Sequence, residues 1–394
     1  MASSSASSEG VAVRLLTDLL DRAWRARASD CHVECHANRV RTRVRVDGVM
    51  VDDKAYPMDV GLQLINRIKV LARLDISERR VPQDGMFQES MAKGPPITLR
   101  VSTFPTLHGE KVVMRILRSG SLLRTAQLGM NGVQVALCRQ LSTVSNGLVV
   151  VTGPTGSGKT STLYALLHQI DTRRRNVVTL EDPIEIELQG VSQGQLNRKA
   201  GMDFASGLRA VLRQDPDVIL VGEMRDKETA AIAIQASLTG HLVLTTLHTN
   251  SVPATITRLV DIGMESYIVA GALEGLIAQR LVRVLCEDCA LPSSPDDIAR
   301  DAADLGFRLE VGPDDHFRSA SGCGACMGTG YRGRTGIFEV VAVDDELRAI
   351  VKQGVGIAFF KQFFAVRGIP SLRRAGVVLA RQGKTTLEEV VRMT

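Results

Sequence analysis

The stretch Gly147-Leu-Val-Val-Val-Thr-Gly-Pro-Thr-Gly-Ser-Gly-Lys-Thr160 decides how this chain is read. Its first half, Gly147 to Thr152, is a continuous apolar run of the kind a parallel sheet buries on both faces. Its second half fits G-x-x-x-x-G-K-[ST] and stands between that strand and a helix expected from about Lys159 to Ile170, which is the context the motif requires. Gly156 and Gly158 let successive backbone N–H groups turn toward one anion. The helix N-terminus adds its partial positive charge beneath it. Gly153, Pro154, Thr155, Gly156, Ser157, Gly158, Lys159, Thr160 and Ser161 are therefore the expected phosphate cradle. Lys159 is placed to reach the β/γ-phosphates, and the Thr160 hydroxyl is the expected Mg²⁺ ligand. The implied ligand is a nucleoside triphosphate.

Downstream, Val177–Leu180, Val218–Val221 and Leu242–Thr246 are further short apolar strands between helical segments. That alternation predicts an α/β domain with a mostly parallel sheet. Upstream the pattern differs. Val11 to Ala28 and Leu62 to Leu74 have helical spacing, whereas Cys31–Glu34, Val40–Val46, Ile97–Phe104 and Lys111–Leu117 alternate as strands, with Asp47-Gly48 a hairpin turn. This first unit is α+β. From Cys286 to Thr335 the pattern breaks into Gly, Pro, Ser and paired cysteines, and helical character resumes from Glu346.

The 394 residues call for two or three compact units. Hydrophobic residues at 44% and charged residues at 23% exclude a largely disordered chain. No apolar run approaches the roughly 20 residues of a membrane span. The Ser/Ala-rich start, Met1 to Gly10, lacks the layout of a secretory signal, which predicts a cytosolic protein. The net charge of +5 is uneven: up to Thr125 there are 20 Lys/Arg against 14 Asp/Glu. A basic first third suits nucleic acid, anionic lipid or an acidic partner, or is a solvated face.

Hydrolysis needs carboxylates near the metal and the attacking water. Asp217-Val-Ile-Leu-Val-Gly-Glu223 is an apolar strand ending in an acid, the layout of a Walker B segment. Glu181-Asp-Pro-Ile-Glu185 puts Glu181, Asp182 and Glu185 at the end of another strand, where α/β ligands bind. His248 closes a third strand. Cys286-Glu-Asp-Cys289 and Cys323-Gly-Ala-Cys326 are two C-x-x-C knuckles 33 residues apart, and four thiolates in that pattern make a closed, structural Zn²⁺ site. A redox pair or an iron–sulfur centre is the competing reading. Cys31-His32-Val-Glu-Cys35-His36 is read as a strand with the cysteines on one face and the histidines on the other, so that the four do not converge. Cys138 is read as a core thiol.

The chain closely resembles the secretion ATPases of the GspE/PilB type, which power type II secretion and type IV pilus assembly. The resemblance runs from about Ala28 to Thr394. It is carried by Ala28-Ser-Asp30, Arg67-Ile-Lys-Val, Pro82-Gln-Asp-Gly85, Arg100-Val-Ser-Thr, Gly109-Glu-Lys-Val-Val-Met-Arg115 and the P-loop. Further along, Glu181 to Glu185, Leu208 to Asp217, Gly222-Glu-Met-Arg-Asp226, Ala236 to His241, Leu247-His-Thr-Asn250, both cysteine pairs and Gly330 to Gly336 continue it.

The resemblance implies a RecA-like P-loop domain preceded by a smaller, PAS-like α+β domain, with a tetracysteine zinc lobe and C-terminal helices. The boundaries expected are a disordered tail 1–10, the first domain 11–118, a linker 119–128, the ATPase domain 129–285, the zinc lobe 286–335 and a helical part 336–394. It further implies ATP, Mg²⁺ and Zn²⁺ as cofactors and a homohexamer at the cytoplasmic face of the inner membrane. The partners implied are a membrane platform protein and a membrane-anchored docking protein, without nucleic acid. Arg100 and Arg115 match arginines offered to the phosphates by the first domain, and Arg209 and Arg213 match a second pair. Glu223 matches the Walker B acid, Glu181, Asp182 and Glu185 the Asp box, and His241 and His248 the His box. Glu185 is assigned to positioning water and Glu223 to Mg²⁺ or its water shell, an assignment open to reversal. The leading domain of many relatives is not expected here. Met86, Cys31 and Cys35 depart from the usual pattern, but none touches the phosphate residues. Retraction ATPases are similarly short but lack the cysteine pairs, which favours the assembly or secretion branch. The rival class is a nucleic-acid-dependent RecA-like motor. Aromatics at 4%, with no aromatic-plus-basic track, argue against it.

Overall fold

The computed structural model describes residues 3–91, 96–117 and 123–394, with side chains from Gly10 onward. Contacts divide the chain into two units. The first comprises everything up to Gly120 together with Cys286–Ala290 and Ala320–Gly333.

The first unit runs α1 (Ser3–Arg25), β1 (Asp30–Cys35), β2 (Arg39–Val46), β3 (Val49–Pro57), α2 (Met58–Leu71), β4 (Gln83–Glu89), β5 (Ile97–Thr106) and β6 (Gly109–Leu117). The strands form a six-stranded sheet in the order β3-β2-β1-β6-β5-β4, with antiparallel pairing throughout. Alternation sends Cys31, Val33, Val40, Val44, Leu99, Val101, Val112 and Met114 to one face. There they bury with Leu16, Leu19 and Leu20 of α1 and Leu64, Ile65 and Ile68 of α2. The hairpin at Asp47-Gly48 has positive φ at both residues, 49° and 84°, as its tight turn needs. Of the expected disordered tail 1–10, residues 3–10 are the start of α1, and 1–2 lie outside the described residues. The segment Cys31 to Cys35 is a strand, and its two cysteines lie in the core.

The second unit contains α3 (Gly132–Thr143), β7 (Gly147–Thr152), α4 (Lys159–Leu167), β8 (Val177–Glu181), β9 (Ser192–Gln195), α5 (Phe204–Val211), β10 (Val218–Val221) and α6 (Lys227–Leu238). It continues with β11 (Leu242–Leu247), α7 (Val252–Asp261), α8 (Ser266–Ala272), β12 (Leu273–Leu285), the two-residue strands β13 (Leu291–Pro292) and β14 (Arg318–Ser319) flanking α9 (Pro295–Ala303), and β15 (Tyr331–Ala342). The helices α10 (Asp345–Lys352), α11 (Ile357–Val366), α12 (Leu372–Arg381) and α13 (Leu387–Met393) end the chain. The large sheet has the order β15-β12-β7-β11-β10-β8-β9. The pairs from β12 through β9 are parallel. Residues 336–342, expected as part of a helical segment, belong to β15.

β7 shows why this sheet is stable. Leu148 and Val150 bury in one cluster, and Val149 and Val151 in the cluster on the opposite face. Each such side chain removed from water contributes about 1.5–3 kcal/mol. β7 is flanked by β12 and β11, neither of them its neighbour in sequence. Ligands of open α/β sheets bind at the carboxyl ends of strands at such a switch. Of the expected linker 119–128, residues 119–122 lie outside the described residues. Thr125–Leu128 is a short 3₁₀ helix whose Thr125 and Leu128 are buried. The block expected as one zinc lobe, 286–335, is divided: both knuckles group with the first unit, and Leu291–Ser319 with the second.

Candidate functional site

The parallel register brings four strand ends to one rim. Thr152 stands beside Leu247 on one side and Ala278 on the other, so His248 and Gln279 both follow at the level of Gly153. Val221 pairs with Thr245, which brings Glu223 to the same rim. Gly153 and Gly158 have φ of 156° and 87°, and a side chain on either would meet Gln279, whose carbonyl oxygen is 2.6 Å from a Cβ at Gly153 and whose amide nitrogen is 2.8 Å from one at Gly158. Glycine is what lets the P-loop lie against β12.

Gly158 is the N-cap of α4, and Thr160 and Ser161 stand exposed in its first turn, as do Pro154, Thr155 and Gly156 in the loop before it. Among the described residues the buried Ser157 hydroxyl has no hydrogen-bond partner. The Lys159 ammonium donates to the carbonyls of Gly153 and Pro154 at 2.9 and 3.0 Å, neutral acceptors in both cases. Burial pushes its pKa down to about 8, against the pull of Glu223 and with a contribution from Arg280. An ammonium on carbonyls and an orphaned hydroxyl, both at a helix N-terminus, fit a nucleotide's phosphates.

Glu223 is mostly buried, 2.7 Å from the Arg225 guanidinium and 3.5 Å from His248 Nε2. Burial, and then the charge of Lys159, hold the His248 pKa below its ordinary value, against the opposing pull of Glu223. Lys159, Glu223 and His248 thus form one interacting group. Glu181 is buried and fully engaged: it accepts from the Tyr164 hydroxyl, from Thr179 Oγ1 at 2.7 Å and from Gln193 Nε2 at 3.1 Å. These bonds anchor the start of the segment to α4, β8 and β9. Glu185 is exposed, its backbone N–H 3.4 Å from the Tyr164 hydroxyl, and Asp182 pairs with Arg198 at 3.0 Å.

Of the expected residues on the second unit, His241, Arg209 and Arg213 are not brought to this group. His241 precedes β11 and lies at the opposite edge of the sheet from the P-loop, away by the length of the strand, about 20 Å at roughly 3.3 Å per residue. Its Nδ1 lies 3.0 Å from the Ala236 carbonyl, a contact that serves the turn. Arg209 pairs with Glu228, and Arg213 donates to the Arg209 carbonyl at 2.8 Å; both arginines are exposed. On the first unit, Arg100 and Arg115 are cross-strand partners on the open face of the sheet, and Arg115 reaches Asp30 at 3.0 Å.

Gln279 and Arg280 were missed in the sequence. They sit inside Leu273–Leu285, where a polar pair in an apolar strand signals a buried polar function. Gln279 is buried and accepts from the Thr162 hydroxyl at 2.6 Å.

The sulfurs of Cys286, Cys289, Cys323 and Cys326 lie within 4.8 Å of one another, and three pairs are 3.8–3.9 Å apart. Disulfides need sulfurs about 2.05 Å apart. Tetrahedral Zn–S bonds of about 2.3 Å place sulfurs about 3.8 Å apart, so the four thiols fit zinc. The N–H groups of Cys323 and Gly330 point at the Cys326 sulfur at 3.1 and 3.2 Å, and that of Gly322 at Cys289 at 3.3 Å. Burial opposes ionisation of Cys326, but the N–H groups of Cys323 and Gly330 and the thiols of Cys323 and Cys289 outweigh it and bring its pKa to about 6. Within the first unit, Met327 packs against the core, and Asp47 accepts from the Gly333 N–H at 2.7 Å.

A P-loop strand inside a parallel sheet, with an acid and a histidine at adjacent strand ends, defines a P-loop ATPase. The chain belongs to the type II/IV secretion system protein family, whose model matches residues 5–392. It is 46% identical over 383 residues to the type II secretion system protein E of Pseudomonas aeruginosa, covering 97% of this chain and 75% of that one. The type II secretion system ATPase E of Vibrio cholerae is 45% identical with the same coverage. Among solved structures, the pilus retraction motor PilT with bound ADP is similar at a TM-score of 0.62 and 26% identity over 95% of this chain and 96% of that one. The Legionella pneumophila ATPase DotB shares the fold at a TM-score of 0.70 and 20% identity, covering 96% and 94% of the two chains. This chain is therefore an ATP-hydrolysing motor of the secretion and pilus class rather than a nucleic-acid motor. Among the described residues, no helix is long and apolar enough to cross a membrane.

Proposed function

We propose that this chain hydrolyses MgATP at the rim formed by the carboxyl ends of β7, β10, β11 and β12. Turnover then drives pseudopilus or pilus assembly from the cytoplasmic face of the inner membrane. The observation that carries this is the convergence of Lys159, Glu223 and His248 at the P-loop. Lys159 and the backbone N–H groups of the loop hold the β/γ-phosphates, and the Thr160 hydroxyl and Glu223 hold Mg²⁺ or its water shell. The metal supplies charge neutralisation on the transferred phosphoryl group. Glu185 positions the attacking water, and Asp182 belongs to the same acidic segment.

Arg100 and Arg115 of the first unit, with Arg209 and Arg213, provide guanidinium groups to the phosphates within a homohexamer. Guanidinium stays charged and forks onto phosphate oxygens. Arginines of one unit on phosphates held by another make ATP favour a closed arrangement, and cycling around the ring moves a membrane platform protein. A membrane-anchored protein docks the ring peripherally. Cys286, Cys289, Cys323 and Cys326 hold one structural Zn²⁺, which fixes the two knuckles to each other.

The test is Mg²⁺-dependent turnover of the purified chain across a concentration series, with zinc content read on the same samples. Turnover per chain that rises with concentration, drops about a hundredfold or more in Glu223→Gln while ATP still binds, and accompanies one zinc per chain that Cys289→Ser loses is the expected outcome. Full turnover in Glu223→Gln refutes the catalytic assignment.

A further inference from the structure

Arg280 is 7% exposed and lies in the middle of β12. Its guanidinium touches three parts of the second unit. Nη1 donates to the Gln279 carbonyl at 3.2 Å, the same oxygen that faces Gly153 of the P-loop. Nη2 donates to Asn250 Oδ1 at 3.0 Å and lies 3.5 Å from the Asn250 carbonyl, two residues beyond His248. Nε donates to the carbonyl of Met393, the last residue of α13. Among the described residues every one of these partners is neutral.

A buried cation is normally matched by a carboxylate, because desolvation of an unmatched charge is expensive. This chain follows that rule elsewhere. Lys69, fully buried, is clamped by Glu110 at 2.8 Å, and Arg283 of the same strand pairs with Glu389 at 2.7 Å. Among the described residues Arg280, next to the P-loop, has no such partner, and burial pushes its pKa below the ordinary value. The charge that would match it is a polyanion at the rim.

We propose that Arg280 is a positioning residue of the nucleotide site. Its buried charge is balanced by the nucleotide's phosphates, and its fork ties their presence to the turn carrying His248 and to the C-terminal helix α13. It acts through Gln279, Asn250 and Met393 rather than by touching the reacting atoms. The proposal rests on the reading of the P-loop as the ATP site. It makes an unusual demand on the empty protein: removal of the positive charge leaves the nucleotide-free fold as stable as before or more so, because an unmatched charge disappears. A purely structural clamp makes the opposite demand.

The full-length chain is compared with Arg280→Gln, Arg280→Lys and Lys159→Ala by MgADP titration and by thermal melting with and without MgADP. Arg280→Gln is expected to melt at or above the wild-type temperature when empty and to bind MgADP about tenfold more weakly, the order of one charge-assisted contact. Its melting shift on adding MgADP shrinks accordingly. Arg280→Lys keeps the charge and recovers affinity to within about threefold. An empty Arg280→Gln that melts lower with unchanged affinity overturns the proposal in favour of a structural clamp. An Arg280→Gln chain that fails to fold when empty overturns the proposal in the same way, and so does an Arg280→Lys chain that loses more than tenfold in affinity at unchanged melting temperature. Lys159→Ala binding MgADP like wild type overturns the ATP-site reading itself, which separates the two failures.

Discussion

On the open face of the first unit's sheet, Glu34 accepts from Arg43 at 2.7 and 2.9 Å, from Arg41 at 3.3 Å and from Lys111 at 2.9 Å. At the rim of the second unit's sheet, Lys159 and Arg280 rest on neutral oxygens. The first arrangement is complete in itself, and its cations are spent on a carboxylate of the same chain. The second is incomplete without an anion. Charge density alone does not locate a ligand site. The basic residues crowded on one face of β2 are less informative than two cations whose hydrogen-bond acceptors, among the described residues, are all neutral.

The largest effect expected from this contrast is at Lys159. Lys159→Ala should lower ATP turnover by about a thousandfold, and leave the melting temperature of the empty chain within a few degrees, since only bonds to two loop carbonyls are lost. A turnover assay and a melting curve on one preparation check both halves. A large drop in melting temperature would mean that Lys159 is a structural residue like Lys69, and the contrast would fail.

Lys69 is the matched counterpart. It is fully buried and donates to Glu110 at 2.8 Å and to the Glu78 carbonyl at 2.7 Å. Lys69→Met leaves Glu110 buried without its cation and should lower stability by about 3 kcal/mol. Lys69→Met combined with Glu110→Leu should recover most of that, because both charges leave together. Denaturant unfolding of the single and double variants reads the difference. A double variant no more stable than the single one would show that packing, not charge matching, holds this pair.

Much of this was legible in the chain itself. The parallel sheet, the P-loop and the two cysteine knuckles declare themselves through local pattern: an all-apolar strand, a glycine-lysine turn, a fixed spacing of thiols. Position along a strand was harder to read. His241 and His248 look alike as histidines bordering one apolar strand, but they flank opposite ends of it, and only the register with β7 shows that His248 alone reaches the P-loop. Glu181 and Glu223 both end strands, but Tyr164, Thr179 and Gln193 engage Glu181 from elements distant in sequence. Gln279 and Arg280 were hidden by the apolar residues around them. The division of residues 286–335 between the two units depends on contacts such as Met327 against the first core, which no local spacing announces.

The finest test sets two buried glutamates against each other. In Glu34, burial pushes the carboxyl up, but hydrogen bonds from Arg43 and Lys111 and their charges outweigh it and hold the pKa at about 2. In Glu339 of β15, burial dominates over the N–H of Val252, 3.1 Å away, and the charge of Lys361, and the pKa rises to about 7. Both groups titrate near 4.5 in the unfolded chain. Glu34 therefore contributes stability that is complete above pH 4.5 and is lost as pH falls toward 2. For Glu339 the folded chain holds more protons than the unfolded one between pH 4.5 and 7, so stability declines as pH rises through that window. Urea unfolding from pH 3 to 8 should show Glu34→Gln flattening the acid limb. Glu339→Gln should flatten the decline between 4.5 and 7 and leave the variant more stable than wild type at pH 8, by on the order of 1–2 kcal/mol. A Glu339→Gln curve parallel to wild type above pH 5 would mean that Glu339 is ionised when folded. The second unit would then hold an acid as well matched as Glu34, and the absence of a carboxylate at Arg280 among the described residues would stand as a feature of the rim alone.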